Sequence, residues 1–412
     1  MRMTTGKIRV PFFRLSPPDE EIAAVADVIR SGWLTTAGVT AEFERRFAEF
    51  VGVRHALAVN SGTAALHLAL EAVGVGPGDF VMVPVHTFTA TAEVVRYLGA
   101  EVLFGDVDKE TFCIDAREDV QERLHGKIFK MLNGKKKNSG NNLKAIMPVH
   151  FGGHPCDMDS IMKLARDLAF KVIEDAAHAL PCRYAWKNGG SSAIGTIGDA
   201  TCFSFYANKT ITTGEGGMLV TSQDEFASRI KVMRLHGIDR DIWDRYKSDK
   251  PSWHYEVVEP GYKYNMTDIA SAIGIKQLAK CRIFHQRRME IAQFYLDNLS
   301  GIEGLRLPVL KCDFGEHAWH LFVILVEPPK TGGRILRNDF INRLADMGVA
   351  TSVHYIPLHF QPYYRERYRL RPEDFPNSTW VYERCVSLPI FPDMHDEEVE
   401  YVAACVKKVL IG

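Results

Sequence analysis

HALAVNSGTAALHLALEAVGV, residues 55–75, decides the architecture. Five small and β-branched residues read as a buried strand. Asn60-Ser61-Gly62-Thr63 then turns directly into an apolar-periodic helix. Reading outward, the same alternation recurs. DFVMVPV (79–85) precedes TATAEVVRYLG (89–99), AEVLFGDV (100–107) follows, LKAIMPVHF (143–151) precedes DMDSIMKLARDLA (157–169), and FKVIEDAAHAL (170–180) closes the series. Strand, helix, strand in this order predicts βαβ units on a mostly parallel sheet, with functional side chains gathered at the strands' carboxyl ends. A helical pattern from Asp268 to about Leu299 follows, and WHLFVILVEP, INRLADMG and TSVHYIPL then change the rhythm. The expectation is a large α/β domain over 1–299 and a smaller α+β domain over 300–412.

Composition narrows the chemistry. The chain has 412 residues and a formal net charge of -1, which offers no electrostatic case for nucleic acid or an anionic membrane. Its eight cysteines are scattered without a CxxC pair, so neither structural zinc nor a disulfide framework is expected, and no metal is assigned. MRMTTGKIRVPFF lacks an apolar run suited to a signal peptide, and no segment approaches the roughly 18 apolar residues of a membrane span. A cytoplasmic, small-molecule role is the expectation. The lysine- and asparagine-rich stretch 126–142 reads as a solvated loop and receives no function.

Three strand ends carry candidate chemistry. The Ser61-Gly62-Thr63 turn faces helix N–H groups and the positive end of a helix dipole outward, which suits a phosphate, although the same triplet is also an ordinary N-cap. Asp175 ends KVIED, where a carboxylate can stabilise a protonated heterocyclic nitrogen or simply cap a helix. Lys209 lies in FSFYANKTITTGEGG (203–217), between a strand-like run and a glycine turn. A lysine amine in such a place can condense with a carbonyl cofactor and later carry protons between carbons. Phe88, after another strand end, offers a ring face to a cofactor or packs in the core.

NSGTAAL, HTFTATA, EDAAHA, FSF-x-x-x-K, TTGEGG and GYKYNMTDIASAIG stand in the order and spacing of one family. The chain resembles the DegT/DnrJ/EryC1/StrS pyridoxal-phosphate sugar aminotransferases from VPFFRLSPPDEEI to SLPIFPDM. SGWLTT, HAWHLF, YYRER and SLPIFPDM are similar to the UDP-4-amino-4-deoxy-L-arabinose branch, and GDP-perosamine synthases share several of them. The resemblance implies fold type I, pyridoxal 5'-phosphate, glutamate and a nucleotide-linked keto-sugar as substrates, and a homodimer with shared sites. It implies Lys209 as the lysine bonded to the cofactor, Asp175 at the pyridine nitrogen, and Gly62, Thr63 and Ser204 at the phosphate. Phe88 would lie on the ring face and His178 at the cofactor's hydroxyl side. Trp33, His320 and His354 would stand near the substrate. Many members read G-Y-N-Y-R, where the asparagine reaches the neighbouring subunit's phosphate. This chain reads Gly261-Tyr262-Lys263-Tyr264-Asn265, which puts Lys263 at the phosphate-contacting position and Asn265 in place of an arginine. Family dehydratases carry histidine where Lys209 stands, so the lysine argues for transamination. An intact Lys209, Asp175 and Ser204 set also argues against a non-catalytic regulatory protein.

Overall fold

The computed structural model describes residues 8–16, 18–117, 143–239, 255–327 and 335–411, so the lysine-rich stretch 126–142 lies outside the described residues. Strands β1 (His55–Val59), β2 (Phe80–Pro84), β3 (Glu101–Gly105), β4 (Leu143–Ile146), β5 (Lys171–Asp175), β8 (Ala200–Ser204) and β9 (Gly217–Thr221) form one seven-stranded sheet in the order β1-β9-β8-β5-β4-β2-β3. A short two-stranded ribbon, β6 (Arg183–Ala185) and β7 (Ser191–Ala193), stands apart from it. The ladder is parallel except at β9, which pairs antiparallel with both β1 and β8. The single reversal arises because the chain leaving β8 doubles back through Thr213 to Gly217 instead of crossing by a helix. This is the mostly parallel sheet expected of fold type I.

Side chains on each strand sort by the two-residue period. Val81 and Val83 pack into one core and Phe80 and Met82 into the other, while Leu57 and Val59 oppose Ala56 and Ala58 in the same way. Both faces are therefore covered, which is why the strands read as unbroken apolar runs. Helix Gly62–Ala72 covers one face. On the other, Gly38–Val51 packs beneath the 32-residue helix Asp268–Leu299, where a Cβ at Gly274 would meet the Phe43 ring at 2.5 Å. Phe43 and Phe47 are fully buried there, each side chain contributing roughly 1.5–3 kcal/mol by leaving water. Asp268 joins the two helix starts by accepting hydrogen bonds from the N–H groups of Ala37 and Thr40 at 2.8 and 2.9 Å.

A second core surrounds β10 (Leu305–Arg306), β11 (Phe322–Val326) and β12 (Cys385–Leu388), an antiparallel sheet backed by helices Arg337–Asp346 and Asp396–Ile411. It also draws Val10 from the N-terminal arm and Ile291, Tyr295 and Leu299 from the long helix. Between Arg337–Asp346 and Asp396–Ile411 the chain returns to the large core. Leu358, Tyr364 and Phe375 join one of its two hydrophobic clusters, the last two edge-on to Phe104 of β3, and the Leu358 N–H donates to Val85 O at 2.8 Å. This return carries residues 352–361 past the carboxyl edge of the central sheet.

Candidate active site

At that edge lies a cavity of about 420 Å3 whose walls include Gly62, Thr63, Phe88, Asp175, His178, Ser204, Lys209 and His354. Six stretches of sequence meet there, most of them because parallel strands deliver their carboxyl ends to one side. Asp175 and the strand leading to Lys209 are neighbours in the ladder, with Asp175 opposite Cys202.

Alternation along β5 separates its two acids. Glu174 points into the protein, where its Oε1 accepts from Thr201 Oγ1 at 2.7 Å and from the Gly198 N–H at 2.8 Å, and its Oε2 meets His150 Nε2 at 3.0 Å. Asp175 faces the cavity. Its Oδ2 accepts from Thr91 Oγ1 at 2.8 Å and its Oδ1 from the Ala177 N–H at 3.1 Å. Because Thr91 spends its proton on the acid, the Thr87 hydroxyl donates to Thr91 in turn, at 2.8 Å. Burial pushes the Asp175 carboxyl above its ordinary pKa, while these donors and the Lys209 charge hold it down. Burial likewise lowers the Lys209 amine to about 8, and Asp175 opposes that shift.

The opposite wall is built for close approach. A Cβ at Gly62 would stand 2.9 Å from Ser204 Cβ, and one at Gly217 would stand 2.5 Å from Ser61 O. Ser61 caps the helix by accepting the Ala64 N–H at 3.0 Å. The N–H groups of Gly62 and Thr63 precede the first intrahelical acceptor and join the Ser204 hydroxyl on the cavity wall. Phe88 keeps 57 % of its surface open at the cavity's lip, tilted against Tyr355 at 5.7 Å.

His178 is buried at the inner end. Its Nδ1 accepts the Gly152 N–H at 3.2 Å, so the neutral ring carries its proton on Nε2 and donates to Tyr355 Oη at 3.0 Å. Desolvation keeps its pKa well below the ordinary histidine value. His354 also lines the cavity, with Nδ1 on Ser387 Oγ at 2.8 Å.

Two residues expected near the substrate lie off this wall, as does Lys263, which was expected at a partner's site. His320 stacks behind His178 at 4.5 Å and is buried outside the cavity wall, held through its carbonyl by Arg288 Nη1 at 3.1 Å. Trp33 sits half-buried in the turn after helix Asp19–Ser31, also off the wall. Lys263 is exposed, and its Nζ donates to Asn265 Oδ1. Asn265 Nδ2 donates onward to Thr36 Oγ1 at 2.6 Å, which gives the arginine-replacing asparagine a local task. Conversely, Tyr355, Thr91, Asn208 and Glu215 belong to the site without having been singled out. Thr91 was within reach as the residue four after Thr87 in HTFTATA, and Tyr355 as the neighbour of His354.

The donor set fits pyridoxal phosphate. A cradle kept open by Gly62 would suit its phosphate, the buried Asp175 would suit its protonated ring nitrogen, and the depressed Lys209 amine would suit its aldehyde. Among the described residues no group of three or more His, Cys, Asp or Glu is placed to hold a metal ion. Fold and site together define a pyridoxal-phosphate-dependent transaminase of fold type I.

The chain belongs to the DegT/DnrJ/EryC1/StrS aminotransferase family, whose model matches residues 17–407. It is 45 % identical over 401 residues to the uncharacterized protein MJ1066 of Methanocaldococcus jannaschii, covering 97 % of each chain. It is 43 % identical over 394 residues to the spore coat polysaccharide biosynthesis protein SpsC of Bacillus subtilis, covering 95 % of each. Among solved structures, the protein described as a sugar aminotransferase, Spr1654 of Streptococcus pneumoniae in its PMP form, superposes with a TM-score of 0.85 at 31 % identity, over 98 % of this chain and 99 % of that one. The same protein is also known in a PLP form. No helix among the described residues is long and apolar enough to cross a membrane.

Proposed function

We propose that this aminotransferase moves the amino group of glutamate to carbon 4 of a nucleotide-linked keto-sugar, in the cytoplasm, as a homodimer with shared sites, for a cell-surface carbohydrate. The observation that carries the reading is the pairing of Lys209 and Asp175 in one cavity, Asp175 at the end of β5 and Lys209 in the turn after the neighbouring β8, with the amine lowered to about 8. The names of SpsC and Spr1654 support sugar as the amine acceptor. The motifs SGWLTT, YYRER and SLPIFPDM support carbon 4.

When bound, the cofactor supplies an electron sink for the carbon that loses its proton. The protein's own groups do the rest. Lys209, its amine lowered by burial to about 8, would take the proton from the amino acid's α-carbon on Nζ and give it back after the transfer. In the second half the same amine reverses the transfer on the sugar carbon. Asp175 stays ionised beside the ring nitrogen, fixed by Thr91 and the Ala177 N–H. The Gly62 and Thr63 N–H groups and Ser204 would hold the phosphate and so fix the ring's place beside Lys209. His178, neutral with its proton directed to Tyr355, offers no competing charge.

The test is to supply the holoenzyme with glutamate and a panel of 4-keto and 3-keto nucleotide sugars, and to weigh the product. Amination of a 4-keto member with one 2-oxoglutarate released per amine is expected. Amination confined to 3-keto members would move the reaction to carbon 3, and turnover only with free keto acids would remove sugar from the reading.

A further inference from the structure

Three of the eight free cysteines, all buried, converge on one stretch of chain at the cavity's edge. Cys156 Sγ donates to Val149 O at 3.1 Å, Cys182 Sγ to Gly153 O at 3.4 Å and Cys113 Sγ to His154 O at 3.5 Å. Val149 lines the cavity itself. The same stretch holds groups of the site in place. The Asp175 N–H donates to Pro148 O at 2.8 Å, the His150 N–H to Asp175 O at 3.1 Å, and the Gly152 N–H to His178 Nδ1 at 3.2 Å. Cys156 adds a tie through its backbone, whose N–H donates to His150 Nδ1 at 3.1 Å, while Nε2 of that ring donates to Glu174 beside Asp175. A shift at Cys156 is therefore passed to both acids of β5.

Cys113 and Cys156 also meet each other, the Cys156 thiol lying within hydrogen-bond reach of the Cys113 sulfur. Burial raises the pKa of both. Their mutual bond reverses the shift at Cys113, which ends well below the ordinary thiol value, and adds to it at Cys156. Of two thiols in contact, one is thus disposed to ionise and attack, and the other keeps its proton.

We propose that Cys113 and Cys156 form a redox switch beneath the active site, which a hydroperoxide closes by joining them in a disulfide. The Cys113 thiolate attacks an oxygen of the peroxide, the O–O bond breaks, and the sulfur becomes a sulfenic acid as an alcohol or water leaves with the thiol's proton. The Cys156 sulfur then displaces the hydroxyl from that sulfenic sulfur, and its own proton leaves with the hydroxyl as water. Two electrons pass from the thiols to the peroxide. The new bond draws Cys113 from His154 O and Cys156 from Val149 O, so these buried carbonyls lose those donors and the stretch must rearrange. Asp175 and His178 move with it, and transamination slows.

The experiment treats the holoenzyme with hydrogen peroxide and alkylates the thiols that remain. Linked peptides are mapped by mass spectrometry, and activity is read as the rate at which an amino donor converts the visible band of the bound cofactor. The expected result is a linkage between Cys113 and Cys156, with activity falling in proportion to it by roughly 10²-fold, the effect of a displacement of about 1 Å on a reacting geometry. Dithiothreitol should restore it. Cys113→Ser and Cys156→Ser keep a hydroxyl for His154 O and Val149 O, so they are expected to work near the wild-type rate and to show no reversible loss with peroxide. A linked enzyme that stays fully active overturns the switch. So does inactivation that leaves both thiols open to alkylation, as when Cys202 of the cavity wall reacts instead, or reversible loss in both serine variants. If the serine variants fail to fold, linkage and activity in the wild-type protein decide alone.

Discussion

Gly62 and Ser204 stand so close that a single added methyl on the glycine would lie 2.9 Å from the serine's Cβ. The helix that offers N–H groups and the strand that offers a hydroxyl are thereby held against one another. Gly62→Ala must push Ser204 away, a strain of the kind that costs about 1–3 kcal/mol. Cofactor affinity measured by equilibrium dialysis is expected to fall by roughly 5- to 150-fold while the circular dichroism of the fold persists. Unaltered cofactor affinity would show that the close approach has no bearing on the phosphate.

Lys209 titrates at about 8. The neutral amine is the nucleophile, so cofactor uptake by the apoprotein should accelerate as pH rises through about 8, well below the ordinary lysine range near 10.4. Asp175 raises this amine's pKa, so Asp175→Asn should move the midpoint downward. Stopped-flow absorbance across pH 6 to 10 reads both directions, using about one-unit steps. Lys209→Ala should lose the visible band of the lysine-bound cofactor altogether, and a band that survived would place the linkage on another residue.

Asp175→Asn removes the charge that keeps the ring nitrogen protonated. Turnover should fall by about 10²-fold or more, the size of effect seen when one preorganised electrostatic group is lost. Steady-state assays with matched cofactor occupancy decide the matter, and near-normal turnover would take Asp175 out of the mechanism.

Thr91→Val deletes one donor to Asp175 and orphans the Thr87 hydroxyl. Since the Thr91 hydrogen bond lowers the carboxyl pKa, its loss must raise it. The ionised form is the useful one, so activity lost in this variant should be greatest at low pH and smaller as pH rises. A pH–rate profile parallel to wild type would assign Thr91 to packing alone.

Lys263 lies exposed and off the wall of its own chain's cavity, tied to Asn265. If it serves a partner's phosphate, inactive Lys209→Ala and Lys263→Glu proteins should regain part of their activity when mixed and allowed to exchange subunits. One site of the heterodimer then collects both lesions and the other neither. Verified exchange without recovered activity would return Lys263 to its own chain.

The elements that the sequence made legible are those whose geometry is local. A strand running into a helix fixes where Gly62 points, and the two-residue period fixes that Glu174 and Asp175 face apart, although which of them faced the cavity needed the sheet. Distance along the chain hid the rest. The Tyr355 hydroxyl reaches His178 across 177 residues, by a return of the chain that no local pattern announces. His320 was expected near the substrate because it matches a family histidine there; its ring lies tilted behind His178, and Arg288 grips the carbonyls of Trp319, His320 and Ile390. The antiparallel turn of β9 escaped notice because its buried apolar residues look the same in either direction.

Asp175 is fixed by the hydrogen-bond ladder of adjacent strands, whereas Tyr355, Gln361 and Tyr363 ride on a connecting segment outside the central sheet. A residue inserted in β5 would exchange its two acids and end the chemistry. The same insertion in the connecting segment would leave the reacting pair in register. Length and sequence can therefore vary in that segment without moving the reacting pair out of register.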